Sequence, residues 1–225
     1  MYKGEYIPPT LTVDSVVFQL QGDQLAVLLI QRTQAPFKKK WALPGGYDAA
    51  GEATRAAMAR ILQAKAGVSV HDLLLVEQLY TFDTVARDPR GHAVSVTYMG
   101  LGKNIEPSLS DTTQNPQFFP LSALPKLAYD HKDIVKYAHE RLQAKVSYTN
   151  AIHALLPVEF TLSQLQSAYE AVLGRELDKR NFRKKFLSLD MIEATANMYQ
   201  DGAHRPARLY KFCQQSLQVL TRSFD

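Results

Sequence analysis

The run Gly46-Tyr47-Asp48-Ala49-Ala50-Gly51-Glu52, followed after seven intervening residues by Arg60-Ile61-Leu62-Gln63-Ala64-Lys65-Ala66-Gly67-Val68, decides how the first half of this chain is read. Ala53 to Ala66 is rich in helix formers, Lys65 lies in the last turn where a base is favoured, and Gly67 stops the helix. A glycine-led loop therefore opens onto a helix, and the glycine, glutamate, arginine and closing glycine keep the spacing of a phosphate-handling frame. A working frame of this kind needs clustered carboxylates. Residues three and four apart share a helix face, so their carboxylates converge on divalent metals. The metals offset the charge of two neighbouring phosphorus centres so that water can attack. On this helix Ile61, Ala64 and Lys65 stand three and four residues apart, and none of them is a carboxylate. A cation on that face disfavours a metal and favours an anion. The expectation is a pocket that binds without cleaving, with no catalytic residue and no metal ligand set.

The surroundings suit a small α/β unit. Val13 to Leu20 alternates partly, Gln21-Gly22-Asp23 marks a turn, and Leu25 to Ile30 is a buried apolar run. Pro44-Gly45-Gly46 is expected to break any regular element. Leu73 to Phe82 and His92 to Leu101 read as strands, Gln117 to Leu121 as a short extended piece, and Asp130 to Val146 as a helix. Gly45 and Gly46 permit close backbone approach to a phosphate. Arg60 has two readings: a brace holding the Glu52 carboxylate, or a direct phosphate contact.

This half resembles the Nudix family, and the resemblance implies glutamates where Ile61, Ala64 and Lys65 stand, with only Glu52 kept. The tract Gln31-Arg32, Pro36-Phe37 and Trp41-Ala42-Leu43-Pro44-Gly45-Gly46 is similar to its ADP-ribose-handling branch. So are Arg87-Asp88-Pro89-Arg90-Gly91 and Phe119-Pro120-Leu121-Ser122-Ala123-Leu124-Pro125. The resemblance covers about residues 10–145 and implies ADP-ribose, or a close dinucleotide relative, as ligand. A diphosphate needs cations and an adenine needs a flat apolar partner. The candidate binding residues are Arg32, Gly45, Gly46, Glu52, Arg60, Phe82, Arg87 and Arg90. Tyr80 is of the right type but reads as core, and Lys38-Lys39-Lys40 as a solvated loop.

Bulk properties exclude several classes. The 225 residues suffice for two small domains, and no window approaches the roughly 18 apolar residues of a membrane span. The start lacks a secretory pattern. The lone Cys213 excludes an internal disulfide, and no cysteine–histidine zinc spacing occurs. These features read as a cytoplasmic protein with no membrane partner. The net charge of +4 is mild, but the bases of the second half are clustered: Arg175 to Lys185 holds six bases against two acids. Such clustering is the footprint of a DNA-binding face, or more blandly of a solvated helix.

The second half has a different pattern. Tyr148 to Leu156 reads as a helix stopping at Pro157. Thr161 caps a second with Leu162, Leu165, Tyr169 and Val172 on one face and Gly174 as its stop. Asp178 caps a third running to about Leu187. Met191 to Tyr199 and Arg208 to Phe212 read as a hairpin about Asp201-Gly202. Three helices and a hairpin outline a winged helix-turn-helix. In its third helix Phe182 and Phe186 face the core, while Arg180, Lys184 and Asn181 lie opposite. In such a motif the second helix enters the major groove, where arginine suits guanine and asparagine suits adenine. Arg183 and Lys185 at the flanks suit phosphates, Lys179 belongs to the same DNA-binding set, and Arg205 and Arg208 suit a wing. A basic helix docked on an acidic protein is the alternative.

The run Phe160 to Phe212, above all Arg205-Pro206-Ala207-Arg208-Leu209-Tyr210, resembles the winged domain of the NrtR family, Nudix-related transcriptional regulators of NAD metabolism. The resemblance implies a homodimeric repressor of NAD-biosynthesis or salvage genes, bound to double-stranded operator DNA and released by ADP-ribose as effector, with no required cofactor. The expected fold class is α+β, with an N-terminal Nudix α/β/α sandwich over residues 1–146 and a winged helix-turn-helix over residues 147–225. The rival expectation is an active Nudix hydrolase of ADP-ribose or a related nucleoside diphosphate derivative.

Overall fold

The computed structural model describes residues 6–109, 114–200 and 206–220. Its first half is built on β1 (Thr10–Gln21), β2 (Gln24–Gln31), β3 (Trp41–Ala42), β4 (Gly45–Tyr47), β5 (Leu73–Phe82), β6 (Ala93–Gly102) and β7 (Gln114–Pro120). Among the described residues they form a seven-stranded mixed sheet in the order β3-β2-β1-β6-β5, with β4 paired to β1 and β7 to β2. The β1–β6 pair is parallel from Thr10 opposite Ala93 to Phe18 opposite Leu101; the other pairs are antiparallel.

The apolar runs in β1 and β2 are covered on both faces. Val13, Val17, Ala26, Leu28 and Ile30 point to one side and meet Ala57, Met58, Ile61 and Leu62 of helix α1 (Thr54–Ala66). The alternate residues Val16, Phe18, Leu25, Val27 and Leu29 point to the other. There they meet Ile134, Val135, Ala138 and Leu142 of helix α2 (His131–Tyr148). Period-two alternation thus feeds two cores, which is why Leu25 to Ile30 reads as unbroken. Each of the Val, Leu, Ile, Phe and Met side chains among them contributes about 1.5–3 kcal/mol by leaving water.

Two local expectations are corrected. Gly45 and Gly46 do not break the fold but belong to β4, opposite Asp14 and Val13 of β1. A Cβ on Gly45 would collide with the Asp14 carboxylate, which Ser95 and Arg87 hold in place, so glycine suits this pairing. Tyr148 to Leu156 is not one helix. The α2 helix runs through Tyr148, and Ala151–Leu155 is a separate 3-10 turn. Thr149 divides them: its Oγ1 donates to Lys145 O (2.6 Å) beside its own N–H and accepts the Ala151 N–H (3.2 Å), which is thereby diverted from the helix ladder. The division expected after Val146 falls inside the last turn of α2.

The second half supplies β8 (Phe160–Thr161), α3 (Leu162–Leu173), α4 (Lys179–Leu187), β9 (Ile192–Tyr199) and β10 (Ala207–Phe212). Thr161 and Gln164 form a reciprocal cap at the start of α3, and Gly174 ends it in the left-handed region. Asp178 caps α4 by accepting the Asn181 N–H (2.8 Å). The three strands form a small sheet in the order β8-β10-β9. The expected turn at Asp201-Gly202 lies outside the described residues.

The two halves share one core. Buried residues run without interruption from β1 and β2 through α2 and the 3-10 turn to Leu165, Tyr169 and Val172 of α3, Phe182 and Phe186 of α4, and Phe212 of β10. The last-turn carbonyls of α3 have no acceptor role within their helix. They are met by side chains of α2: His139 Nε2 donates to Val172 O (2.7 Å), and Gln143 Nε2 to Val172 O (3.1 Å) and Leu173 O (3.2 Å).

Candidate functional site

Strands β1 and β2 pair only over Phe18 to Gln21, opposite Val27 to Gln24; toward the start of β1 its partner is β4. A cavity of about 480 Å³ is lined from both strands and from β4, within the usual range for small-molecule sites. Thr12 and Asp14 of β1, Ile30 at the end of β2, and Gly45 to Tyr47 form one wall. Arg60, Ile61, Ala64 and Lys65 of α1 form another. Arg32 follows β2, Arg87 to Arg90 close the side, and Tyr129 and His131 stand at the start of α2.

Six of the eight candidate binding residues lie in these walls: Arg32, Gly45, Gly46, Arg60, Arg87 and Arg90. Glu52 instead stands behind Arg60, accepting from its Nε (2.9 Å) and Nη2 (2.5 Å). That hydrogen bond holds the Glu52 carboxyl below its ordinary value and raises Arg60 above its own. Arg60 also donates to Tyr47 O (3.1 Å), so it braces the loop while it lines the cavity. Phe82 is the correction. It is not among the lining residues but packs on Tyr80 and Tyr137, with centroids 5.4 and 5.7 Å away. Its position at the end of β5 turns it toward α2 rather than toward α1. The second glycine has a packing role as well, since a Cβ on Gly46 would meet Ile61 at 3.3 Å.

Most of the arginines are already engaged. Arg87 is buried and bidentate on Asp130 (both contacts 2.9 Å), with Asp14 Oδ2 3.5 Å from Nη2. Burial works against its charge, but the two carboxylates outweigh that and raise its pKa. Arg90 grips Asp88 and donates to Tyr47 Oη (2.7 Å), holding the Asp88 carboxyl below its ordinary value. Arg32 donates to Pro36 O (2.9 Å). Arg32 and Arg90 both lie over Tyr129, at 5.0 and 5.9 Å from its centroid.

The pattern of the sequence did not point to Tyr129. It has φ of 54°, a conformation costing about 1–3 kcal/mol that concentrates at functional sites. Its hydroxyl is buried with no hydrogen-bond partner among the described residues. Burial raises its pKa, partly offset by the two arginines, so it remains a phenol. Asp14 had a legible signal, a lone carboxylate inside an apolar strand. It accepts from Ser95 Oγ (2.6 Å). His131 is wholly buried, and burial lowers its pKa. Neutral, it accepts the Leu43 N–H at Nδ1 (2.9 Å) and turns Nε2–H toward Asp14 Oδ1, 3.8 Å away.

The donor set does not fit a divalent metal. The frame positions on α1 present an alkyl group, a methyl and an ammonium. Among the described residues no group of three or more His, Cys, Asp or Glu could hold a metal ion.

On α4, Phe182 and Phe186 stack at 5.5 Å and wedge against Tyr169 of α3, so the opposite side must face outward. Lys179, Arg180, Asn181 and Lys184 are exposed there; Arg183 and Lys185 are half-buried at the flanks. Arg183 Nη2 donates weakly to Ser163 Oγ (3.4 Å), tying it to α3. Arg208 is exposed on β10 opposite Met198. Arg205 lies outside the described residues. No helix among the described residues is long and apolar enough to cross a membrane.

Comparison with known proteins gives two family matches: a NUDIX domain over residues 8–138 and an NrtR DNA-binding winged helix domain over residues 152–212. The ADPR responsive transcriptional repressor NtrR of Acinetobacter baylyi is 36% identical over 219 residues, 95% of this chain and 86% of that protein. The crystal structure of Shewanella oneidensis NrtR complexed with a 27mer DNA superposes with a TM-score of 0.78 at 30% identity, covering 96% of this chain and 99% of that one. The cocrystal structure of the NUDIX domain of Shewanella oneidensis NrtR with ADP ribose has a TM-score of 0.56 at 34% identity, covering 61% of this chain and 90% of that one.

Proposed function

This chain belongs to the NrtR family of Nudix-related transcriptional regulators, and on that premise we propose that it is a repressor of NAD-biosynthesis or salvage genes, released from its operator by ADP-ribose. The observation that carries the proposal is the continuous core. A cationic cavity without metal ligands and a helix with an exposed basic face are parts of one packed unit. Binding at one site therefore has a physical route to the other.

The cavity receives the effector. Arg32, Arg60, Arg90 and Lys65 supply positive potential for the diphosphate, and the buried Tyr129 hydroxyl supplies a donor. Asp130, held by Arg87 at the cavity wall, is the residue before α2. The same helix carries His139 and Gln143, which hold the end of α3. A ligand that shifts α2 thereby re-aims α3 and the α4 packed on it. Only differential affinity is needed, and a coupling of about 1–3 kcal/mol, or 5–150-fold, is typical. The α4 face reads base edges through Arg180 and Asn181, with Lys179, Lys184 and the flanking Arg183 and Lys185 on phosphates. Arg208, exposed on β10, supplies a wing contact. Two copies bind half-sites about 34 Å, or a multiple of that, apart.

The decisive experiment is a gel-shift series on promoter fragments of NAD-synthesis genes, with and without ADP-ribose. Sequence-specific retardation that ADP-ribose abolishes is expected. Retardation that ignores sequence or effector would overturn the proposal. Incubation with ADP-ribose and magnesium is expected to release no AMP, and steady release would overturn its non-catalytic part.

A further inference from the structure

Two carboxylates line the cavity amid its arginines. Asp88 has both oxygens gripped by Arg90. Asp14, which is buried, is engaged on one side only. Its Oδ2 accepts from Ser95 Oγ (2.6 Å) and lies 3.5 Å from Arg87 Nη2. Its Oδ1 accepts no hydrogen bond among the described residues, since His131 Nε2, which turns toward it, stands 3.8 Å away. A Cβ on Gly45 would fall on this oxygen, so the glycine leaves it uncovered. Arg87 already has a bidentate partner in Asp130.

Alternation along β1 puts Asp14 on the side of Val16 and Phe18, which meet α2, whereas Val13 and Val17 meet α1. The cavity therefore has two ends of different chemistry. Arg60 and Lys65 line it on the α1 side, and Asp14 lines it on the α2 side. A carboxylate oxygen in an enclosed space without a donor is costly, and a ligand that brings a donor recovers the cost. A phosphate cannot do so, because like charges at close range repel. The ligand must present an uncharged donor here. ADP-ribose has two kinds, its ribose hydroxyls and its adenine amine. The neighbours of Asp14 are Ser95, Arg87 and His131, with Thr12 two residues before it on the same face of β1. Such polar surroundings suit a sugar, whereas adenine needs a flat apolar partner.

We infer that Asp14 selects a sugar-bearing effector, its Oδ1 accepting hydrogen bonds from a ribose diol. The inference rests on the reading of the cavity as an ADP-ribose site and deepens it by separating the group that reads the sugar from the cations that meet the diphosphate. Either ribose of ADP-ribose supplies this chemistry, and the test tells them apart.

The test is isothermal titration of the full chain with ADP-ribose and three analogues. ADP lacks the terminal ribose, 2′-deoxy-ADP-ribose lacks one hydroxyl of the adenosine ribose, and inosine diphosphate ribose lacks the adenine amine. On the unsubstituted chain, ADP or 2′-deoxy-ADP-ribose is expected to bind about 10-fold or more weaker than ADP-ribose, the scale of a lost hydrogen bond to a charged group, and thereby identifies the ribose. In Asp14→Ala that ratio is expected to fall toward unity, because the acceptor that told the two probes apart is gone. Asp14→Asn keeps the size and an acceptor for Ser95 but not the charge, and its ratio is expected to lie between. A merely structural role would weaken every probe alike and leave the ratio unchanged. Melting curves show which variants are folded. Equal affinity of the unsubstituted chain for ADP-ribose, ADP and 2′-deoxy-ADP-ribose would overturn this inference and leave the effector reading intact. So would an unchanged ratio in a folded variant, or a change confined to inosine diphosphate ribose. A chain that bound no ADP-ribose would overturn both.

Discussion

The cavity and the outer face of α4 are both rich in bases, yet they hold their charges differently. In the cavity, Arg60 is bound to Glu52, Arg87 to Asp130 and Asp14, and Arg90 to Asp88. On α4, Lys179, Arg180 and Lys184 stand exposed above two buried phenylalanines. At Arg87 the difference follows from dielectric, since its side chain is 6% exposed against 48% for Arg60 and 43% for Arg90. A cation so enclosed needs a partner or its desolvation is not compensated, whereas a solvated one can wait for a phosphate. Cations of the first kind shape a site, and those of the second kind drive association that weakens as salt rises.

Substitution at Arg87 breaks the comparison most severely. Arg87→Ala leaves Asp130 and Asp14 without their cation in a buried setting. A loss of about 3–5 kcal/mol is expected, read by chemical denaturation. An unchanged midpoint would mean that the cavity cations are no more structural than those on α4.

Arg180→Ala is the counterpart. Stability is expected to stay within about 0.5 kcal/mol. Discrimination at one operator base pair is expected to fall by about 1–3 kcal/mol, measured by binding to operators varied one position at a time. Uniform weakening across all sequences would reassign Arg180 to a phosphate.

The joint substitution His139→Ala with Gln143→Ala sharpens what links the two regions. It removes the α2 side chains that hold Val172 O and Leu173 O. The factor by which ADP-ribose weakens DNA binding is expected to change by about 0.5–2 kcal/mol, with each ligand's own contacts untouched. An unaltered factor would require another route between the sites.

The smallest effect concerns pH. Arg90 holds the Asp88 carboxyl below its ordinary value, so its folded-state pKa is depressed. A depressed carboxylate contributes stability that is complete above its unfolded pKa and is lost as pH falls through the folded one. The gap in melting temperature between the parent and Asp88→Asn is therefore expected to be constant above about pH 5 and to close in more acidic buffer. A gap unaffected by acid would remove the ion pair from the account.

Legibility differed sharply between kinds of feature. The α1 helix, its Gly67 stop, the Thr161 and Asp178 caps and the phenylalanine pair of α4 were all readable, because each depends on residues within a few positions of one another. That Ile61, Ala64 and Lys65 are not carboxylates was equally plain. Phe82 misled because its type suited adenine while its strand end faces α2. Tyr129 escaped because it lies in no periodic segment, and its importance comes from a left-handed backbone and two arginines distant in sequence.

What the amino-acid order determined alone is therefore local: where helices start and stop, which strand residues alternate, and that a base, Lys65, stands in the last turn of α1. Tertiary structure alone decided which arginines are already bound, since Arg87 meets Asp130 across 43 positions and Ser95 meets Asp14 across 81. It also decided that α2 and α3 share one core with the sheet. The physical reason is reach. Caps and periodicity act over one or two turns of chain, whereas the pairing of buried charges and the sharing of an apolar surface depend on which distant segments the sheet topology brings side by side.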